Sequence, residues 1–274
     1  MTAVSVPTPA AGDLALPDRP PTSAIIADAL TIAQRNLIAL VRTPTTLVFS
    51  TIQPIIFVLL FRYVFGGAIQ APHGFNYVDY LMPGVFVQTV TFGSVNTGVG
   101  LATDLQTGII ERFRSLPMAR SAVLAGRTLA DVVRNLFVIL LMVAMGFLVG
   151  FRVHTSVIPF LGAILLMLSF GFAMSWVMAL IGLSAGNAEA AQAGAFPFMA
   201  LLVFASNAFV PTGRMPHILR AYANNQPVSQ VNEAVRSLAN GGATARPVLA
   251  ALAWVVGITA VFAGLAVNRY RRAA

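Results

Sequence analysis

From Pro44 onward the chain alternates long apolar runs with short polar breaks. Apolar runs fall at about 45–65, 79–101, 132–150, 157–183, 190–210 and 247–267. Each is close to the ~20 residues an α-helix needs to cross a hydrocarbon layer. The pattern predicts an all-α integral membrane protein with six transmembrane helices. Three further stretches repeat at steps of three and four but are too polar to span. Ser23 caps a predicted helix to about Arg42, whose stripe is Ile26, Leu30, Ala33, Leu37 and Val41, with Asp28, Thr31, Arg35 and Arg42 on another face. Such a helix lies in the membrane interface. Between spans two and three, Ala102, Leu105, Ile109, Phe113 and Leu116 form one apolar stripe. They predict a surface helix that turns Asp104, Gln106, Thr107, Glu111, Arg112 and Arg114 towards water or a partner and stops at Pro117. Between spans five and six, Pro216 opens one short amphipathic helix. Val228, Val231, Val235 and Leu238 stripe a second, which Gly241-Gly242 end.

Composition sharpens this picture. The 274 residues have a mean hydropathy of +0.80 and only 9% charged side chains, against about 25% for a soluble domain. The 17 basic residues are all arginine, so the chain cannot supply the lysine of a phosphate-binding P-loop. Without cysteine it has no disulfide and no thiol chemistry. Residues 1–22 hold five prolines and no apolar run, and are expected to be a disordered cytosolic segment rather than a signal peptide. With the N-terminus inside, Arg19, Arg35, Arg42, Arg112, Arg114, Arg120, Arg127, Arg134, Arg269, Arg271 and Arg272 lie on the inner side. Arg62, Arg152, Arg214, Arg220, Arg236 and Arg246 lie outside or at the outer edge. That bias follows the positive-inside rule and places both termini, including a basic tail at 269–274, in the cytosol. The net charge of +8 therefore reports topology and not nucleic-acid binding.

Few polar groups enter the spans. The second carries Gln88, Thr89, Thr91, Ser94, Asn96 and Thr97, with Gly93, Gly98 and Gly100 between them. These favour close helix packing, and Gln88, Thr91, Ser94 and Asn96, with Ser206 and Asn207 at the end of span five, are candidates to line a substrate path. Gly146-x-x-x-Gly150 and Gly182-x-x-x-Gly186 are further small-residue packing motifs. Glu189 is the one formal charge between Val157 and Val210, and an ion-coupled carrier would have to use it. Asp79 and Arg62 read as outer-edge residues that snorkel. His73, His154 and His217 fall in predicted external loops without a carboxylate or second ligand at metal spacing, and no catalytic constellation appears.

Two motifs carry a family resemblance: Glu111-Arg112-Phe113-Arg114-Ser115-Leu116-Pro117-Met118 in the inner loop, and Asn225-Gln226-Pro227-Val228-Ser229 in the outer one. With their order among six spans, they make residues 25–270 resemble the membrane subunit of ABC-2 type exporters, in the daunorubicin/doxorubicin-resistance permease branch common in actinobacteria. The resemblance implies one transmembrane domain over 23–268 and a half-transporter with no ATPase domain of its own. It implies two copies of a separate ATP-binding subunit, which would hold the ATP and Mg, and a second permease subunit as homodimer or heterodimer. It also implies a coupling helix at about Thr103–Arg114, with Asp104, Thr107, Glu111, Arg112, Phe113 and Arg114 facing the ATPase. Gln226 and Pro227 would belong to an external gate. The substrates implied are amphipathic drugs, lipids or polysaccharides moved outward across the plasma membrane, with no nucleic acid and no bound cofactor.

Overall fold

The computed structural model describes residues 27, 28, 30–35, 38, 42, 44–64, 76–108 and 120–273, and every regular element among them is helical. Helix α1, Pro44–Leu59, runs into a π-helical turn at Leu60–Val64. Helices α2, Tyr77–Gly93, and α3, Val95–Gln106, follow. Helix α4 is Arg120–Val149, α5 Val157–Ser184 and α6 Ala188–Phe204. A 3₁₀ turn, Thr212–Arg214, leads to α7, His217–Asn225, and α8, Pro227–Asn240. Helix α9, Ala245–Ala273, closes the described chain. Among the described residues three segments are long and apolar enough to cross a membrane: Ala125–Val149, Val157–Ser184 and Ala245–Tyr270. Ile52–Val64 and Ala188–Phe204 are apolar but shorter.

Helix α5 is the hub, packing against α2, α3, α4, α6, α8 and α9. Its sequence explains this, because it carries no charge and is apolar on every side. Its few hydroxyls are returned to its own backbone: Ser175 Oγ donates to the Gly171 carbonyl at 2.9 Å and Ser169 Oγ to Leu165 at 2.8 Å. Glycine permits the tightest contacts. A Cβ on Gly182 would collide with the backbone of Gly98, and one on Gly98 would lie 2.5 Å from the Met178 carbonyl oxygen. Two helix backbones therefore touch here, as close small-residue packing requires. Gly84 makes a similar approach to the backbone of Ala208. Of the glycine pairs read from the sequence, Gly182 makes such a backbone contact and Gly146 makes room for the Met82 and Phe151 side chains, whereas nothing lies within 4 Å of a Cβ on Gly186 or Gly150. Outward, α4 exposes Phe137, Leu140 and Leu148, and α9 exposes Leu249, Val256 and Val261. Such faces need lipid or another subunit to cover them.

Helices α2 and α3 are one bent helix. At Ser94 the backbone N–H is shared between the carbonyls of Val90, 3.2 Å, and Thr91, 3.3 Å. The hydroxyls of Thr91 and Ser94 bond back to the carbonyls of Val87 and Thr91, each at 2.6 Å, and this back-bonding beside Gly93 bends a helix. The helix then continues to Gln106, beyond the predicted end of the second span, and breaks at Gly108 with φ 68°. The predicted stripe from Ala102 to Leu116 is therefore not one helix. Ala102 is buried inside α3, and Gly108 adopts the left-handed conformation that ends helices. Residues 109–119, with Glu111, Arg112, Phe113 and Arg114, lie outside the described residues.

Segments predicted for one side of the membrane meet at one end of the bundle. Ile32 clusters with Leu101, Trp176, Leu183, Ala266 and Tyr270, so the N-terminal helical residues meet the C-terminal ends of α3, α5 and α9. Of the predicted N-terminal stripe Ala33 is buried and Leu30 is 53% exposed, while Ile32 beside them is buried; Ile26, Leu37 and Val41 lie outside the described residues. At the opposite end, α8 lies across α2, α5 and α9 with Val228, Val231 and Val235 fully buried. Gly241 and Gly242, at φ 91° and 117°, release the chain into α9. Helix α7 begins at His217 with Pro216 as its cap, one residue later than read from the sequence.

Asp79, at the start of α2, does not snorkel. It is 2% exposed because the Arg152 backbone N–H donates to its Oδ1 at 3.0 Å and Asn240 Nδ2 donates to its carbonyl at 2.7 Å. His154 Nε2 lies 3.9 Å from Asp79 Oδ2, and no cluster of three or more His, Asp or Glu side chains placed to hold a metal is found among the described residues. Chain reversals at Phe151–Ser156 and Gly241 bring these groups together from far apart in sequence. Arg62, by contrast, is exposed on the π-helical turn.

Candidate functional site

The bend at Ser94 opens a cavity of about 470 Å³ between α1, α2, α3, α4 and α6. Five amide side chains line it, Gln53, Gln88, Asn96, Asn135 and Gln192, together with the Arg134 guanidinium and the Phe92 and Phe196 rings. The rings approach to 6.0 Å between centroids. Gln53, Asn96, Gln192 and Phe196 are exposed and form the mouth, while Gln88, Arg134 and Asn135 are buried within. Arg134 is 6% exposed. Its Nη2 donates to the Gly93 carbonyl and, at 3.3 Å, to Asn135 Oδ1, and lies 3.6 Å from Asp131 Oδ1. The same Gly93 carbonyl also accepts from Asn96 Nδ2 at 3.2 Å. Beside the cavity, Gln88 Oε1 and Asn135 Nδ2 are buried without a hydrogen-bond partner. Such orphans are costly, and a site that binds polar molecules is one reason for a fold to keep them.

A polar ladder joins this cavity to the N-terminal-helix end of the bundle. On α4, Arg127, Asp131 and Arg134 recur at i, i+4 and i+7 and so share one face. Facing them on the bent helix, Asp104 pairs with Arg127, Thr97 donates to Asp131 and the Gly93 carbonyl accepts from Arg134. Arg35 approaches Asp104 at 3.8 Å from the N-terminal helix. Asp104, whose helical position suggested water or a partner, keeps 16% of its side chain exposed and directs its carboxylate to Arg127 and Arg35. Thr107 is exposed at the end of α3, with its hydroxyl bonded to the Thr103 carbonyl at 2.9 Å.

The predicted path residues divide between sites. Gln88 and Asn96 line the cavity. Thr91 and Ser94 are completely buried and spend their hydroxyls on the bend. Ser206 and Asn207 sit at the other end of the molecule, in a network beneath α8. Asn207 accepts there from Asn232 Nδ2 at 2.8 Å, and its N–H donates to Ser229 Oγ at 3.1 Å. Gln226 accepts from Val228 N at 3.0 Å, capping α8, while its Nε2 donates to the Leu202 carbonyl at 2.9 Å. It ties α8 to the end of α6. Arg236 fastens the same corner by lying 3.8 Å above the Tyr80 ring and donating to the carbonyls of Tyr80 and Asn207, each at 3.1 Å. Glu189 is exposed in the first turn of α6, which Asn187 caps through its bond from Ala190 N at 2.7 Å.

The sequence reading took Arg127 and Arg134 as topological charges and did not single out Gln53, Gln192, Asp131 or Asn135. The signal that finds the ladder is the opposite-charge spacing Arg127, Asp131, Arg134 on a helix that otherwise reads as membrane-spanning. Charges that fall within a candidate membrane span, here Ala125–Val149, are kept for a reason.

Comparison with known proteins agrees with this architecture. The ABC-2 type transporter family model matches residues 28–239. The chain is 35% identical over 268 residues to the daunorubicin resistance ABC transporter permease protein DrrB1 of Streptomyces coeruleorubidus, covering 96% of this chain and 94% of that one. It is 27% identical over 248 residues to the "Probable doxorubicin resistance ABC transporter permease protein DrrC" of Mycobacterium tuberculosis, at 90% coverage of each. It is 29% identical over 193 residues to that organism's doxorubicin resistance ABC transporter permease protein DrrB, covering 68% of this chain and 67% of that one. An all-helical, apolar-surfaced body with a family match over most of its length is a membrane-embedded protein, and the chain belongs to the ABC-2 type transporter family.

Proposed function

We propose that the chain is the permease subunit of an ATP-driven exporter that moves amphipathic or hydrophobic compounds, drugs or lipids and glycolipids, out of the cytosol or inner leaflet. The observation that carries this reading is the amide-lined cavity inside an apolar helical body, joined by the Asp104–Arg127 and Asp131–Arg134 pairs to the end of the bundle from which residues 109–119 depart. An amphipathic molecule needs polar partners for its head and apolar walls for its tail, and the cavity offers both.

In this proposal the helices at 44–64, 77–106, 120–149, 157–184, 188–204 and 245–273 make six crossings. The N-terminal helix and the C-terminal end of α9 face the cytosol. The convergence of Ile32 and Arg35 with Leu101 and Asp104, and of Ile32 with Ala266 and Tyr270, at one end supports that topology. Two ATP-binding subunits, carrying the ATP and Mg, dock on the loop containing Thr107, Glu111, Arg112, Phe113 and Arg114, and a second permease subunit completes the membrane part. Drug-resistance permeases among the relatives support this class of cargo. Gln226 and Pro227 join α6 to α8 as the outer closure.

The test is reconstitution with the ATP-binding subunit in vesicles. Movement of fluorescent amphiphiles should require ATP and persist when a protonophore collapses the proton gradient. Glu111→Ala or Arg114→Ala should leave the fold intact and uncouple hydrolysis from transport. Transport at full rate in both variants sinks the docking assignment. Transport that stops with the proton gradient while ATP remains sinks the energy source, and Glu189 then becomes the residue to examine.

A further inference from the structure

A second cavity, of about 620 Å³, lies at the end of the bundle away from the polar ladder, where the segment after α6 meets α7, α8 and the start of α9. Its polar wall includes Asn225, Gln230, Glu233, Arg236 and Arg246. Most of these groups are already spent. Arg236 donates through Nε and Nη2 to the carbonyls of Tyr80 and Asn207 and covers the Tyr80 ring. Gln230 Nε2 donates to the Asn224 carbonyl, and Asn225 Nδ2 to Ala221 at 2.8 Å. Glu233 on α8 and Arg246 on α9 differ from them. Both are exposed, and neither forms an ion pair or a side-chain hydrogen bond with any described residue. An acid and a guanidinium thus share one cavity without pairing with each other.

The depth of this cavity in the membrane points to its occupant. Arg246 and Pro247 stand in the first turn of Ala245–Tyr270, a segment long and apolar enough to cross a membrane, and Tyr80 stands in the first turn of α2. The ends of spanning helices are where lipid head groups meet water. We infer that the cavity binds the head of a zwitterionic lipid with a primary ammonium, a phosphoethanolamine head, whatever the exporter carries. Its phosphate meets Arg246, whose planar N–H donors suit phosphate oxygens. Its ammonium meets Glu233, a carboxylate that only accepts, and brings three N–H donors to it. A trimethylammonium has no N–H to donate, and a phosphoglycerol head has no cation. Each of those heads would satisfy Arg246 and leave the Glu233 charge to water.

The test is native mass spectrometry of the full-length chain, delipidated in detergent and titrated with three lipids of identical acyl chains: phosphatidylethanolamine, phosphatidylcholine and phosphatidylglycerol. The first phosphatidylethanolamine should bind with a Kd about fivefold below the other two, the upper end for one ion pair still in reach of water. Glu233→Gln should bring phosphatidylethanolamine within about twofold of phosphatidylcholine and leave phosphatidylcholine unchanged. Arg246→Gln should weaken both by a similar factor, about three- to fivefold. Both side chains are exposed and hold no hydrogen bond for the fold to lose, and an unchanged Tm checks that the variants are folded. Equal binding of the three lipids, or tightest binding of phosphatidylglycerol, overturns the inference. So does a phosphatidylethanolamine preference that survives Glu233→Gln, which places it elsewhere on the apolar surface. Glycerophosphoethanolamine, the same head without chains, should displace the lipid only at much higher concentration. Competition at the lipid's own Kd overturns the assignment to a lipid. None of these readouts involves nucleotide or transport, so they stand or fall apart from the exporter reading.

Discussion

Asp104 is the residue for which sequence and structure give opposite expectations, which makes it the sharpest test. As a docking residue it would face a partner, and Asp104→Asn would impair ATPase coupling with little effect on stability. In the structure it is paired with Arg127 and the two side chains are 16% and 19% exposed. Breaking a fully buried pair costs about 3–5 kcal/mol, whereas exposed pairs are worth about 0–1 kcal/mol. With roughly a sixth to a fifth of each side chain still in solvent, about 2 kcal/mol is expected for Asp104→Asn or Arg127→Gln. At about 2–4 °C per kcal/mol for a chain of this size, Tm should fall by about 4–8 °C. The Arg35 contact, at 3.8 Å with that side chain 45% exposed, adds little. Trp176 shares its cluster with Leu101, on the helix that ends beside Asp104, so tryptophan fluorescence during thermal unfolding of the detergent-purified protein reads the right region. Removing both partners together should cost clearly less than the sum of the two single losses. Additive losses, or an unchanged Tm with lost ATPase coupling, would refute the pairing argument and return Asp104 to the docking surface.

Three further expectations follow from packing and capping. Gly182→Ala puts a methyl group into the backbone of Gly98 and should destabilise by about 1–3 kcal/mol, whereas Gly257→Ala, with nothing within 4 Å, should be neutral or stabilising in the same thermal assay. Gly100→Ala places a methyl group against the Arg127 guanidinium, the mobile end of a long side chain, so it should cost less than Arg127→Gln and add little to it when the two are combined. Gln226→Ala removes the cap of α8 and orphans the Leu202 carbonyl. It should cost about 1–3 kcal/mol, and hydrogen exchange should rise at the start of α8 before the core of α5.

The helical body was legible because lipid imposes one rule: backbone groups must be satisfied within the segment and side chains must be apolar. Each apolar run coincides with a helix, and the α8 stripe Val228, Val231, Val235 is buried as its spacing predicts. The bend at Ser94 was not read, although its ingredients, Thr91 and Ser94 beside Gly93, are adjacent in sequence. Hydroxyl back-bonding bends a helix only when neighbouring helices need the room, and that is a tertiary fact. Arg134 was hidden for another reason. A charge near the start of a span looks like topology until Asp131, one turn earlier on the same helix, and Thr97 and the Gly93 carbonyl on the bent helix are seen around it. Asp79 was misjudged because its partners, Arg152 and Asn240, are supplied by segments 73 and 161 residues away. Two of the six candidate path residues, Gln88 and Asn96, fell on the cavity. Thr91, Ser94, Ser206 and Asn207 share the chemistry of those two, but Thr91 and Ser94 spend their hydroxyls on the helix bend, Ser206 bonds locally to Val203 and Ala208, and Asn207 holds α8.

The most direct test of the whole account is ATP-dependent amphiphile movement by the chain reconstituted with its ATP-binding subunit, measured with the wild-type cavity and with Asn96→Trp at its mouth. The account predicts movement that requires hydrolysis and is abolished by Asn96→Trp while nucleotide binding to the partner is retained. Undiminished transport with the mouth filled would contradict it.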